Sequence, residues 1–287
     1  MSPPVGNRRR TVFITGTTSG IGRESARQLG KLGARVVMGV RDVDRGKAIA
    51  ARIQNDGGSP EVLPLDLASL DSVRDMAAKF SDKHDLLDVL VNNAGVALRH
   101  REVTPDGHER TWQTNFLGGY LLTRLLLPAL RRGDRPRIVN VSSEAHRTGR
   151  IDWDDLELSR DYGGFRAYAN TKLAQILFTR ELARREPGIM VHSLHPGALA
   201  TRIWRDVPLI PLRVMILSVL WLAGTGMPSA ARGAKPVVRL AWDPAIEGVT
   251  GRYVQRFCET EPSEAARDDA AATRLWEVAA RATGLAG

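Results

Sequence analysis

Short runs of β-branched and aliphatic residues alternate along this chain with longer stretches whose apolar side chains recur at helical spacing. No other feature limits so sharply what the chain can fold into. The runs cover residues 11–15, 35–40, 61–65, 87–91, 137–141 and 189–194 and read as strands. Between them, residues 20–32, 44–54, 69–84, a stretch around 108–131, and 167–185 carry the helical pattern. The strands are apolar almost throughout, so each is expected to be covered on both faces, as in a parallel sheet. The alternation predicts an open, doubly wound parallel α/β sheet flanked by helices on both faces. No internal repeat or Gly/Ser-rich linker divides the 287 residues. Residues 11–287 are therefore expected to form a single domain behind a loose tail, 1–10.

Composition removes several classes of function. Hydrophobic residues at 43% and charged ones at 25% exclude a disordered or collagen-like chain. A single cysteine, Cys258, rules out an intrachain disulfide framework and fits a reducing, cytoplasmic setting. The first ten residues hold no apolar run, so neither a secretory signal nor an N-terminal membrane anchor is expected. The most apolar stretch, 209–223, is interrupted by Pro211 and Arg213 and is shorter than the ~20 residues a spanning helix needs. No transmembrane segment is expected. Lys and Arg number 41 against 32 Asp and Glu, a formal charge of +9. Apart from Arg8, Arg9 and Arg10 the basic residues are scattered among acids, so no nucleic-acid partner is expected, although an anionic ligand would be favoured. His192 and His195 flank a strand end without a matching carboxylate, and no metal is expected there.

The first strand runs directly into Thr15-Gly16-Thr17-Thr18-Ser19-Gly20-Ile21-Gly22, which opens the first helix. Glycines so placed allow a tight turn and close approach of backbone to a pyrophosphate, which the helix N-terminus would hold. The GxxxGxG spacing alone also suits an ordinary turn; its position after strand one gives it weight. The second strand ends in Met38-Gly39-Val40-Arg41-Asp42. Val40 stands where an NAD-binding chain usually carries an acid for the ribose hydroxyls. Arg41 can hold a 2′-phosphate through forked, charge-assisted hydrogen bonds, unless it merely pairs with Asp42 or Asp44. NADP(H) is the expected dinucleotide, with NAD(H) the alternative.

Chemistry enters with Tyr168-Ala169-Asn170-Thr171-Lys172, which places Tyr168 and Lys172 at i and i+4 on one helix face. A phenol ionises near pH 10, and a neighbouring ammonium lowers that value by stabilising the phenolate. Such a tyrosine can give a proton to a carbonyl or take one from an alcohol. A YxxxK pair alone is compatible with a plain surface pair. Polar groups at other strand ends point to the same place, however: Asn92-Asn93-Ala94-Gly95 after the fourth, Asn140-Val141-Ser142-Ser143 after the fifth, and His195-Pro196-Gly197, leading to Thr201, after the sixth.

The set TGTTSGIG, NNAG, Asn115, NVSS, YANTK and HPG, in this order, resembles the short-chain dehydrogenase/reductase family over residues 11–254. Within it, VRD after strand two, SSEAH, IDWDDL, KLAQILFTRELARR and GVTGRY look most like the retinol-dehydrogenase-like branch. The resemblance implies a Rossmann-type oxidoreductase fold. It implies Tyr168 as proton donor or acceptor and Lys172 as the group that lowers the tyrosine's pKa and binds the nicotinamide ribose. Ser143, preferred to Ser142, would hydrogen-bond the substrate oxygen, and Asn115 would hold a water linking Lys172 to solvent. Gly16, Thr18, Ser19, Gly20, Ile21 and Gly22 would surround the pyrophosphate. Asp66 and Leu67 would edge the adenine, Asn93, Ala94 and Gly95 would meet the adenosine half, and Pro196, Gly197 and Thr201 would approach the nicotinamide.

Two stretches break the strand–helix rhythm, 144–166 and 199–247, and irregular segments after strand ends are where ligands sit in such sheets. The second is markedly apolar. A small lid over an apolar substrate is the expected role, and a helix packed on the body or on another subunit, or a patch resting on a membrane, remain alternatives. His146 is expected to make a structural hydrogen bond and Trp153 to anchor its loop. The function expected is an NADP(H)-dependent oxidoreductase acting on an apolar aldehyde, ketone or alcohol. The other reading is a sensor or scaffold that binds the dinucleotide without turnover; a homo-oligomer is compatible with either.

Overall fold

The structure is a computed structural model that describes residues 8–197 and 229–286. Its strands are β1 (Thr11–Thr15), β2 (Arg35–Val40), β3 (Ser59–Pro64), β4 (Val89–Asn92), β5 (Arg137–Val141), β6 (Met190–His195), β7 (Arg252–Gln255) and β8 (Cys258–Glu259). They form one sheet in the order β3-β2-β1-β4-β5-β6-β7-β8, parallel except for the last pair. The chain winds outward from β1 in one direction, returns, and winds out from β4 in the other. The expected doubly wound parallel sheet is the observed one, with two short edge strands added after residue 251.

Helices cover both faces. Along β1 the side chains alternate, as the two-residue period of a strand requires. Val12 and Ile14 enter one core beneath α1 (Gly20–Lys31) and α2 (Val43–Asn55). Phe13 enters the other, beneath α3 (Leu70–Lys83) and the long helix that follows β4. That helix does not begin at residue 108. The Glu109 carboxylate accepts from the backbone N–H of Thr111 (2.9 Å) and Trp112 (2.6 Å), which starts α4 (Arg110–Trp112). A π-helical turn, Gln113–Leu117, then leads into α5 (Gly118–Arg131).

After β5 the chain enters α6 (Gly164–Arg185), whose outer side is covered by the C-terminal helix α8 (Asp269–Ala282). Tyr120, Phe178 and Trp276 meet there, with ring centroids 5.2–5.9 Å apart. Arg124 and Arg185 lie over the Trp276 indole at 4.7 and 4.6 Å. This packing fixes α6, which carries Tyr168 and Lys172.

Two expectations are corrected. Of the stretch 199–247 expected to cover the site, α7 (Ala230–Trp242) instead packs on α1 and sends Ala234, Val237, Leu240 and Ala241 into the core. Residues 198–228, including 209–223, lie outside the described residues. The tail 1–10 is not loose at its end. Arg8 grips the buried Asp88 carboxylate at 2.7 and 2.9 Å, and Arg10 is buried, donating to Arg135 O (3.1 Å) beneath the Trp242 ring. Two arginines of the basic run thus bind the protein's own groups. Among the described residues no helix is long and apolar enough to cross a membrane.

Asp88 also accepts from the backbone N–H of Thr11 (2.6 Å) and Asp134 (2.7 Å). Asp88→Ala leaves those donors without an acceptor and is expected to lower stability by about 2–4 kcal/mol. Arg8→Ala, removing a half-exposed partner, should cost no more than about 1 kcal/mol. Urea unfolding of the two variants checks the order.

Candidate active site

The glycine turn is built by close packing. Gly16 adopts φ +71° and Gly20 φ +57°, conformations that side-chain-bearing residues rarely take. A Cβ on Gly16 would lie 2.8 Å from Ala94 Cα, and one on Gly22 would run into Gly16 O and Asn93 Nδ2. Nothing lies within 4 Å of the position a Gly20 Cβ would take, so this side of the turn is open. Ser19 is the N-cap of α1, yet its hydroxyl makes no cap hydrogen bond and the first turn holds no acid. The N–H groups and positive end of the helix thus face outward, where an anion is favoured. Open glycine backbone and an uncapped helix end fit a dinucleotide pyrophosphate.

The turn is tied to its neighbours. Gly16 N–H donates to Gly39 O on β2 (3.2 Å), so Arg41 leaves the sheet beside it. Arg41 is exposed, and among the described residues it makes no ion pair. Asp42 instead caps α2 by accepting from Arg45 N–H (3.0 Å). Across β4, Asn93 Nδ2 donates to Thr15 O (2.9 Å) and Gly16 O (3.3 Å), while the Thr15 hydroxyl accepts from the N–H of Asn93 and Ala94, both at 3.0 Å. Asn93 is therefore a latch on the turn. Thr15, its partner, opens the glycine motif in the sequence but was given no role there. Past β3, Asp66 accepts from Ala68 N–H (2.9 Å), and the Leu67 side chain is buried in the core, leaving its backbone at the edge. Pro196 and Gly197, the latter at φ +102°, follow β6; Thr201 lies outside the described residues.

The two serines after β5 face different partners. Ser142 donates to the Lys172 carbonyl (2.8 Å) and is buried. Ser143 hydrogen-bonds the Tyr168 hydroxyl and accepts from Ala145 N–H (3.2 Å). Behind it, His146 is fixed in one tautomer: Nε2 accepts from Ser263 N–H (3.1 Å), so Nδ1 carries the proton it donates to Ser143 O (2.8 Å). The expected structural role of His146 is the observed one. Trp153 likewise holds its loop, beneath the Arg274 guanidinium at 4.3 Å.

Tyr168 and Lys172 are both buried, with the ammonium 5.3 Å from the centre of the phenol ring. Burial pushes the tyrosine up to about 12 against the opposing hydrogen bond from Ser143. Burial also brings Lys172 down to about 7. The sequence reading expected a tyrosine lowered by its lysine; desolvation dominates, and each group is driven towards its neutral form. Lys172 Nζ donates to Val141 O (2.9 Å) and to Gln175 Oε1 (3.0 Å). Asn115 sits in the π-helical turn and clamps the chain after β4: Val96 N–H donates to its Oδ1 (2.7 Å), and its Nδ2 donates to Val96 O (2.8 Å). The structure thus brings Asn115, Ser143, Tyr168 and Lys172 together beyond the C-terminal ends of β4 and β5. Gln175, which joins Lys172 to Asn115, was missed; only its position one turn after Lys172 could have signalled it. Among the described residues no cluster of three or more His, Cys, Asp or Glu side chains is placed to hold a metal ion.

Burial holds His192 and His195 down at about 4. In the unfolded chain an imidazole titrates near 6.5. The unfolded state therefore binds more protons below that value, so these histidines' contribution is full above pH 6.5 and is lost as pH falls towards 4. Urea midpoints should drop across this window, with a shallower drop in His192→Gln. A midpoint constant through it would contradict the burial of neutral imidazoles.

A family model described as short chain dehydrogenase matches residues 10–209. The chain is 41% identical to polyprenol dehydrogenase of Mus musculus, over 97% of this chain and 85% of that protein. It is 40% identical to retinol dehydrogenase 14 of Homo sapiens, over 96% and 87%. Among solved structures, an uncharacterised protein from Mycobacterium paratuberculosis superposes with a TM-score of 0.77 at 34% identity, covering 96% of this chain and 94% of that one. The Pseudomonas aeruginosa RhlG/NADP active-site complex does so with a TM-score of 0.71 at 27% identity, covering 90% and 98%.

Proposed function

Because the chain belongs to the short-chain dehydrogenase family, we propose that it is an NADP(H)-dependent oxidoreductase that interconverts an apolar aldehyde or ketone and its alcohol. The observation that carries this reading is the buried Ser143–Tyr168–Lys172 group, set two strands along, past β4, from an open glycine turn at the same sheet edge.

The dinucleotide would be held by the turn from Gly16 to Gly22 and the first N–H groups of α1, with Thr18, Ser19 and Ile21 around the pyrophosphate. Asp66 and the Leu67 backbone would edge the adenine, and Asn93, Ala94 and Gly95 the adenosine half. Pro196, Gly197, Thr201 and Lys172 would meet the nicotinamide end. The exposed Arg41 supports NADP(H) over NAD(H), since its guanidinium is open to a 2′-phosphate. When bound, the nicotinamide supplies or accepts the hydride.

The protein's own residues do the rest. Ser143 hydrogen-bonds the substrate oxygen. Tyr168, a phenol throughout the neutral range because burial holds it at about 12, donates its proton to that oxygen as the carbonyl is reduced. Lys172, when charged, stabilises the phenolate left behind. In the reverse direction Tyr168 must first lose its proton, so alcohol oxidation should accelerate as pH rises. Reduction should instead weaken once Lys172 is neutral, and a reducing cytoplasm favours reduction. Relatives named for polyprenol and retinol support an apolar substrate. Phe165, 43% exposed and one turn before Tyr168, supports it too.

Tyr168→Phe should cut turnover by about 10²–10⁴-fold while NADPH affinity stays within about twofold. Ordinary turnover in that variant would remove Tyr168 from the mechanism. Arg41→Ala should weaken NADPH by about 10–100-fold and NADH hardly at all, read by titration calorimetry. Equal losses for both cofactors would mean that Arg41 does not hold the phosphate.

A further inference from the structure

Gln175 lies one helical turn beyond Lys172 and is buried. Its Oε1 accepts from Lys172 Nζ (3.0 Å) and its Nε2 donates to Asn115 O (2.8 Å). Only this amide orientation works: the flipped one would set NH₂ against an ammonium and oxygen against a carbonyl. The Asn115 carbonyl takes a side-chain donor from another helix within the π-helical turn Gln113–Leu117, a widened turn of the kind often found at functional sites. The resemblance implies that Asn115 holds a water linking Lys172 to solvent; in this chain the amide of Gln175 also joins Lys172 Nζ to the Asn115 carbonyl.

We propose that Gln175 is a positioning residue that tethers the Lys172 ammonium to the π-helical turn and favours its charged form. The tether rests on the role for Lys172 proposed above. An amide accepts at one end and donates at the other without passing a proton between them, so the bridge holds the ammonium and conducts nothing to Asn115. A carbonyl oxygen accepting from an ammonium favours the charged form, opposing burial. The Val141 carbonyl acts in the same direction, and no charged group does so. The groups facing Lys172 are Tyr168 on its own helix, the Val141 carbonyl at the end of β5, Gly95 after β4, and Asn115, which Gln175 joins to it. Among the described residues no carboxylate, guanidinium or imidazole offsets the burial that lowers it.

The test reads Lys172 directly, in the protein without added cofactor. The chain has six lysines, and the other five are exposed, so with ¹³C-labelled lysine the Lys172 side chain should titrate apart from the rest. Gln175→Met removes the acceptor at nearly constant volume and should move the Lys172 midpoint down by about one pH unit. Gln175→Glu should move it up. The alkaline fall of kcat for carbonyl reduction should follow the midpoint, costing Gln175→Met up to about tenfold above neutrality with KM little changed. An unmoved midpoint in a folded Gln175→Met protein overturns the tether. If that variant does not fold, an unmoved midpoint in Gln175→Glu does so. A midpoint that moves while kcat ignores it upholds the tether and refutes the catalytic role given to Lys172.

Discussion

Parallel pairing of β1 with β4, the point where the winding of the sheet reverses, is the constraint on which the remaining arrangement depends. It brings the ends of two strands 77 residues apart side by side, close enough for Asn93 to hold the carbonyls of Thr15 and Gly16. The latch closes because Gly16 and Gly22 have no side chains in the way. From there the parallel register carries each strand end to the same edge. Asn92 faces Asn140 across β4 and β5, and Ser142 N–H donates to Leu194 O on β6 (2.8 Å). Ligands bind at such a reversal because the loops on its two sides diverge and leave a crevice.

The second determinant is dryness. Tyr168 and Lys172 are buried on α6, which α8 holds from outside. In water the lysine would be charged and would draw the phenol's pKa down. In the dry site desolvation raises the tyrosine against the hydrogen bond from Ser143, and the phenol keeps its proton. A neutral phenol close to a lysine that titrates near neutrality suits a proton donor better than a base. Ser142, bonded to the Lys172 carbonyl, and His146, bonded to the Ser143 carbonyl, hold the two sides of this site from below and behind.

Much of this was legible in the sequence because parallel strands and helices have different apolar periods. The ranges 11–15, 35–40 and 137–141 match β1, β2 and β5 end for end. What failed did so for identifiable reasons. β7 and β8 are short, and their mixed burial leaves no period to read. α7 lay inside a stretch read as a cover, because an apolar helix facing a sheet and one facing a substrate look alike in sequence. Arg8 and Arg10 looked like a free basic tail because the carboxylate that binds Arg8 is 80 residues away. Site residues were legible where chemistry demands a residue type, as at Tyr168 and Lys172. They were not where a side chain works through a fold-made contact, as at Thr15 and Gln175. The burial of the pair was not legible for the same reason: spacing shows proximity and says nothing of burial.

The central claim is that hydride passes between nicotinamide and an apolar carbonyl at this site. The most direct test supplies NADPH deuterated at C4, as each epimer separately, with a long-chain aldehyde, and analyses the alcohol by mass spectrometry. One deuterium at the carbinol carbon from one epimer, and none from the other, is the predicted result. Tight binding of NADPH with no deuterium in product from either epimer, across aldehydes and ketones of increasing length, would contradict the account.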